Sequence, residues 1–491
     1  MKTRIASMLL PKTQDILFLA IFVAVLALGQ RMINLDGDLP RHLLTGKFIL
    51  QTRTIPSIEP FVYPYEGRPY VSHEWLADIG FYLTYNLLGL AGIVILAATL
   101  LASTFTALYS RVSSRLDTRL PVLALFVWGA TATSLNWATR PHLISMLLLA
   151  VWLIWTDKLS RGEKVPLWAF FISMMVWSNL HGEFIAGMLV MLAYTVGWTM
   201  EFLLNRTGTD VKTGQRLWLG LSASALASLL NPAGIRPWLT MLGFVNNRYL
   251  MSRMYEARPP DFSRPEFLVL LGLLIVSMIL LANHPKRLTA GQAFLLAGFS
   301  AMSLLAARNI HLYGVVAPFA LAETVAGFGK TKILRTVEST LKHIERQLKS
   351  TLWPIATVVV SCVIIFAGQP GKTYSFSSSI FPTDAIKWLE SHPQDGRMFN
   401  DLNWGGYIAF HLWPEQKIFA DSMADVTGEL TRQYEMVITL TEGWKDVFSK
   451  YQIEWVIIPT NSELSQALGG SSAWETLYAD STATILRRIT P

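Results

Sequence analysis

Residues Asp15–Gln51 read DILFLAIFVAVLALGQRMINLDGDLPRHLLTGKFILQ, and the order of features in this stretch decides the fold. An apolar run extends to Ile33, and about 20 such residues suffice to cross the hydrocarbon core of a bilayer. Directly behind it come two acids, Asp36-Gly37-Asp38, and then Leu39–Gln51, whose apolar residues recur at helical spacing around Gly46. Asp38 and His42 are four residues apart, so a helix places them on one face. Two carboxylates so spaced can hold a hard divalent cation such as Mg or Mn, or one can act as base while the other orients it. The competing reading is that Asp36 or Asp38 only caps the helix that follows.

Working outward, the rest of the chain repeats the apolar theme. It is 491 residues long, 52% hydrophobic and only 15% charged, against about 25% charged in an average soluble domain. Eleven apolar segments are candidate spans: 15–33, 76–108, 120–136, 141–157, 165–180, 183–203, 217–231, 266–283, 288–307, 311–328 and 352–368. The net charge of +7 does not indicate nucleic acid, because the bases sit in short loops between apolar runs and are not clustered with exposed aromatics. The lone Cys362 lies in an apolar run, which excludes an internal disulfide and any CxxC metal site. Lys2, Arg4 and Lys12 ahead of 15–29 have the form of a signal peptide, but the many later spans favour a retained anchor.

With the N-terminus inside, the inner loops hold 20 Lys and Arg and the outer connections before residue 369 hold 12, the bias expected of cytoplasmic loops. Residues 34–75 then form the first outer loop of a membrane domain, 1–368. Gly-, Pro- and Ser-rich residues 369–380 read as a linker, and 381–491 as a small α/β domain. Strands are predicted at Arg397–Asn400, Lys417–Asp421, Trp455–Pro459 and Thr482–Arg488, and helices at Thr383–Ser391, Leu430–Leu440 and Thr441–Lys450. The predicted class is therefore an all-α polytopic membrane domain of about 11 transmembrane helices followed by an extracytoplasmic α/β domain, located in the inner membrane of the cell with the N-terminus cytoplasmic.

Five of the nine histidines fall at the outer ends of these spans: His42, His73, His142, His181 and His311. Beside them stand Asp36, Asp38, Glu74, Arg140, Asn179, Glu183, Arg236 and Arg308. One such residue is ordinarily a helix cap or a snorkelling side chain, but ionisable groups at the hydrocarbon boundary are costly. So many on one face favour a shared polar site. His42, His73 and Glu74 can complete a metal or phosphate site with the aspartates, although His73-Glu74 can equally cap a span that Trp75 anchors in the interface. Arg140, Arg308 and His311 suit an anionic head group, since guanidinium pairs with phosphate bidentately. His142, Asn179, His181, Glu183 and Arg236 are further candidates.

The acidic motif after the first span, the amphipathic segment behind it and His73-Glu74-Trp75-Leu76 at the entry to the second span resemble the GT-C superfamily. These are multi-span glycosyltransferases that use polyprenyl-phosphate-linked sugars, among them protein O-mannosyltransferases, the aminoarabinose transferase of lipid A and the oligosaccharyltransferase catalytic subunit. The His-Glu-Trp-Leu entry is similar to the His-Pro-Pro-Leu entry of the mannosyltransferases. It and Arg308-Asn309-Ile310 also resemble signatures of a bacterial subgroup of membrane proteins. Asn403-Trp404-Gly405-Gly406-Tyr407, followed by Ile418-Phe419-Ala420-Asp421, resembles the Trp-Trp-Asp-Tyr-Gly segment and following strand of the oligosaccharyltransferase subunit. Gly405 stands where that motif has its Asp, so peptide-sequon recognition does not carry over.

The resemblance implies transfer of a sugar from a polyprenyl-phosphate donor to an extracytoplasmic glycan, lipid or protein acceptor, with inversion. Asp36 or Asp38 would be the base, Arg140, Arg308 and His311 would face the donor phosphate, and Trp404 and Tyr407 would lie on the acceptor side. A divalent cation is compatible with it. Two other classes compete. A transporter or flippase of a lipid-linked or anionic substrate would place ionisable groups in mid-span, and a non-catalytic membrane assembly protein would need no converging acids and histidines.

Overall fold

The computed structural model describes residues 10–205, 210–283, 288–326, 332–348, 352–368, 374–423 and 427–489. Lys2 and Arg4 of the N-terminal segment, the 284–287 loop with His284, and residues 369–373 of the expected linker lie outside them. Each of the eleven apolar segments holds a helix among its described residues. In chain order the helices are α1 (Thr13–Ile33), α2 (Asp38–Thr52), α3 (Trp75–Ser113), α4 (Leu120–Thr133), α5 (His142–Ser160), α6 (Leu167–Leu180), α7 (Phe184–Leu203), α8 (Val211–Ala227), α9 (Arg236–Asn246), α10 (Arg248–Arg253), α11 (Leu268–Asn283), α12 (Ala290–Leu305), α13 (Ile310–Val325), α14 (Lys332–Gln347) and α15 (Leu352–Ala367). Then follow α16 (Thr383–Ser391), α17 (Gly405–Leu412), α18 (Glu429–Ile438), α19 (Trp444–Tyr451) and α20 (Glu463–Gly469), with strands β1 (Arg397–Asn400), β2 (Ile453–Pro459), β3 (Trp474–Ala479) and β4 (Ala483–Arg488).

Among the described residues five helices are long and apolar enough to cross a membrane, or six if the bent pair Thr336–Gln347 and Leu352–Ala367 counts as one span. The other apolar helices α4, α6, α8, α12 and α13 run 14–17 residues. At a rise of about 1.5 Å per residue they reach about 21–26 Å, short of the roughly 30 Å hydrocarbon thickness. Eleven helices are present, but length and composition qualify only five or six of them as spans.

The chain divides into two compact units. The first holds Met1–Leu28, Val94–Asn231 and Met254–Gln369, and its central helix is α13, buried along nearly its whole length. α4 crosses α13 where Gly129 faces Gly314. A Cβ on Gly129 would come 2.4 Å from the Gly314 carbonyl oxygen, so the two backbones meet with no side chain between them, as at other crossings of membrane helices.

The second unit joins Gly29–Ile93, Pro232–Arg253 and Pro370–Pro491. Its sheet has the order β1-β2-β4-β3, with β1 parallel to β2 and the other pairs antiparallel. The aromatic residues of the first loop supply part of its core: Phe61, Tyr63 and Tyr65 are buried with Met398, Phe419 and Ile457. The Tyr63 hydroxyl donates to the Met398 carbonyl at 2.9 Å. The strand expected at Lys417–Asp421 makes a single bridge, Ile418 to Val62, and does not join the sheet. The cause is Asn400, whose side chain donates to the Ala420 carbonyl and accepts from Phe419 N–H, both at 2.8 Å. The side chain thus takes the place of a neighbouring strand, and backbone 61–63 takes the other side.

Two close approaches fix the region that carries the acidic motif. A Cβ on Gly46 of α2 would lie 2.1 Å from the Asp78 carbonyl oxygen and 2.7 Å from Tyr82 Cβ, which seats α2 on the first turns of α3. A Cβ on Gly406 would lie 2.6 Å from the Gly37 carbonyl oxygen, and one on Gly37 would lie 2.1 Å from that of Asn403. The Asp36-Gly37-Asp38 turn and the Asn403–Tyr407 segment therefore touch backbone to backbone.

Beside this turn Arg41 is fully buried. Its Nη2 meets both Glu59 carboxylate oxygens at 3.0 Å and its Nη1 lies 3.0 Å from Asp421 Oδ2. The guanidinium stacks 4.3 Å over the Phe61 ring. Glu59 Oε1 also accepts the N–H groups of Phe61 and Val62 at 3.0 and 3.3 Å.

Three stability outcomes follow from this packing. Gly46→Val is expected to cost about 1–3 kcal/mol through overpacking, read as a lower thermal midpoint of the detergent-purified protein. Gly80→Ala, in open space on α3, should be neutral or stabilising. Arg41→Met strands Glu59 and Asp421 without their counter-charge, and loss of one partner of a buried pair costs about 3–5 kcal/mol. The same melting measurement reads it.

Candidate functional site

In the second unit the sequence-predicted residues gather at the N-terminal end of α2 and the start of α3. Asp36 Oδ1 accepts the Asp38 N–H at 2.9 Å, so Asp36 closes the turn that opens the helix. Asp38 is partly exposed, and its Oδ1 accepts the Ser422 hydroxyl at 2.5 Å. His42, one turn on, is buried with its Nδ1 2.7 Å from Asp78 Oδ1 and 3.8 Å from Glu74 Oε2. His73 Nε2 lies 3.8 Å from Glu74 Oε1, and its Nδ1 is 3.2 Å from the Val71 carbonyl, which it can only donate to. The structure thus assembles Asp36 and Asp38 as one group and His42, Glu74 and His73 as another, joined by the first turn of α2.

Sequence reasoning missed Asp78, Ser422 and the Arg41 triad. Asp78 had a usable signal. A carboxylate one turn inside an apolar run, four residues after Glu74, calls for a partner, and Gly46 is what brings His42 to it. Ser422 carried no signal in the chain, because only the fold places it against Asp38.

Burial alone would push the His42 imidazole down. The hydrogen bond to Asp78 and the charges of Asp78, Glu74 and Asp38 more than offset it, and the group titrates at about 9 instead of 6.5. His42 is therefore a buried imidazolium that leaves its Nε2–H available as a donor.

The other candidates lie in the first unit, except three. Arg236 opens α9 in the second unit and is exposed. Trp404 and Tyr407 are core residues there. The Trp404 indole donates to the Ile380 carbonyl at 2.7 Å, and the Tyr407 ring packs 5.2 Å from Phe376 and 5.1 Å from Phe381.

In the first unit His142, His181, Glu183 and His311 meet. The His142 ring lies 5.4 Å from that of His311 and 6.5 Å from that of His181, and Glu183 Oε1 is 2.9 Å from His311 Nε2. His142 Nε2 donates to the Asn136 carbonyl at 2.8 Å. The Trp177 indole donates to Ser145 Oγ at 2.8 Å, which directs the Ser145 hydroxyl onto His181 Nδ1 at 2.9 Å. These bonds fix two ring orientations. Asn179 caps instead, donating to the Met175 and Leu230 carbonyls at 2.7 and 2.9 Å. Arg140 lies 3.6 Å from Glu256, and Arg308 stands in the short turn ahead of α13.

Among the described residues no group of three His, Cys, Asp or Glu side chains is arranged to hold a metal ion. A cation at the acidic turn would need most of its ligands from a bound substrate and water.

A raised folded-state value makes the charged-imidazole contribution of His42 complete below about 6.5 and lost as pH climbs through about 9. Stability should accordingly fall across that window. His42→Gln is expected to abolish that component of the slope in thermal melts taken along a pH series.

No protein-family model and no curated protein matches this sequence, but solved structures match its fold. The oligosaccharyltransferase of Archaeoglobus fulgidus superposes with a TM-score of 0.57 at 11% identity, over 90% of this chain and 69% of its own. ArnT from Cupriavidus metallidurans gives 0.53 at 13% identity, over 96% of this chain and 97% of its own. The mycobacterial arabinofuranosyltransferase AftD gives 0.53 at 13% identity, over 96% of this chain but 41% of its own longer chain. This chain thus shares its fold with the oligosaccharyltransferase, ArnT and arabinofuranosyltransferase structures.

Proposed function

We propose that the protein is a membrane glycosyltransferase that moves a sugar from a polyprenyl-phosphate-linked donor to an extracytoplasmic glycan, lipid or protein acceptor. The observation that carries this reading is the Asp36-Gly37-Asp38 turn. It follows α1 directly, is held in one conformation by Gly406 and Asn403, and leaves the Asp38 carboxylate partly exposed. In a GT-C fold this is the position from which a carboxylate can take the proton of an attacking hydroxyl or amine.

The roles divide by chemistry. Asp38 is the base, and the Ser422 hydroxyl and the Asp36-closed turn hold it in place. The acceptor oxygen or nitrogen bonds to the anomeric carbon, its proton goes to Asp38, and the bond to the donor phosphate breaks. The departing phosphate carries the electron pair, and single displacement inverts the configuration. His42, charged and backed by Asp78, contributes positive potential at the same end of α2. Within the first unit, Arg140, Arg308 and His311 have the cationic chemistry that suits a phosphate group. This division supports the enzyme reading over a carrier, because the acids stand at helix ends and not in mid-span.

The test is reconstitution of the purified full chain with labelled polyprenyl-phosphate sugars and candidate acceptors. Transfer of label is expected in wild type, and Asp38→Asn should reduce it by about 10²-fold or more, the span attributed to a general base, with membrane insertion unchanged. Full transfer in that variant removes Asp38 as the base. Flux into sealed vesicles without transfer replaces the enzyme with a carrier.

A further inference from the structure

α14 (Lys332–Gln347) is the least apolar of the long helices in the first unit, yet it leaves bulky apolar side chains uncovered: Ile333 is 79% exposed, Val337 42% and Ile344 46%. At about 100° per residue these three fall within one narrow stripe of the helix surface. The flank next to the stripe is tied to the protein. Glu338 Oε1 accepts the Arg119 and Leu120 N–H groups at 3.0 and 3.2 Å, closing the N-terminus of α4. Glu345 accepts the Thr13 N–H at 2.9 Å and pairs with Arg119, and Lys342 pairs with Asp117. The remaining flank carries Ser339, His343 and Arg346, all exposed. The helix thus has three faces, one for protein, one for water and one apolar.

The direction of the helix identifies what covers the third face. The axis of Thr336–Gln347 stands 72° from that of α15. α15 is an apolar helix whose Ile355, Val359, Val363 and Ile364 are all exposed, the surface of a helix that faces lipid. A helix nearly perpendicular to such a neighbour runs along the bilayer surface. There an apolar stripe sinks to the level of the head groups and upper acyl chains while the polar side stays wet. Arg346, on the wet side, suits an anionic head-group layer.

We propose that α14 is an interfacial helix whose Ile333-Val337-Ile344 stripe docks on the lipid surface. Through Glu338 and Glu345 it holds the α4 N-terminus and the α1 start at a fixed depth in the membrane. This rests on the membrane character of the chain and not on glycosyl transfer, so the two stand or fall separately.

The test uses the full chain in a Cys362→Ser background, with single cysteines introduced as Val337→Cys or Ile344→Cys on the stripe and Ser339→Cys on the wet flank. Each carries an environment-sensitive fluorophore and is reconstituted into vesicles of phosphatidylglycerol and phosphatidylethanolamine. The stripe probes are expected to emit at shorter wavelength and to lose most of their emission to brominated acyl chains, whereas the Ser339 probe responds to aqueous iodide. Stripe probes quenched by iodide as strongly as Ser339 overturn the proposal. So do stripe probes shielded from both quenchers, since protein would then cover the face.

Discussion

The second unit depends on a guanidinium with nowhere else to go. Arg41 is enclosed between Glu59 and Asp421, over the ring of Phe61. Removing three charges from water is costly, and the attraction among them repays it only when every partner is in place. That condition is what makes the arrangement specific. α2, the proline-rich loop and the segment after Phe419 can share one charge cluster in only one register. The acidic turn immediately ahead of Arg41 inherits that register, as does the imidazole immediately behind it. The Asp38 carboxylate is thereby placed by a neighbour whose own charge is fully paired.

The two polar clusters are built on different physics. Around His42 the bonds are charge-assisted, with Glu74 just ahead of α3 and Asp78 in its first turn facing a protonated ring. Around His181 the ordering comes from a chain of neutral donors running from an indole through a hydroxyl to an imidazole. The first kind holds charge in place, while the second fixes ring orientation without committing a proton.

Periodicity placed the helices well, because an apolar run of sufficient length has few alternatives. α16 and β1 fall at the predicted bounds, and each of the eleven apolar segments holds a helix among its described residues. Most of the misses share one cause, which is information held by a partner remote in sequence. Lys417–Asp421 has a strand's composition, yet the side chain of Asn400 occupies its edge. β3 escaped notice because its residues are half-exposed and carry no clean alternation. α17 begins with two glycines, poor helix formers, whose presence makes sense only against the Ala420 carbonyl, which Gly405 faces, and the Gly37 carbonyl, which Gly406 faces. In the candidate site the acids and histidines were visible as a pattern at helix ends. Asp78 and Ser422 were not, since each gains meaning from a contact across the fold. Trp404 and Tyr407, which the resemblance gives to the acceptor side, are packed into the core.

The contact between Gly37 and Gly406 has a consequence for how such a protein can change. A side chain at Gly406 meets the Gly37 carbonyl and one at Gly37 meets the Asn403 carbonyl, so the turn after the first helix and the segment some 369 residues further on form one heritable part. A sheet domain borrowed from a relative would fit only if it arrived with its own 34–75 segment. Diversification in this architecture should therefore proceed through surfaces away from that seam, leaving the seam itself as the portion of the molecule that drifts least.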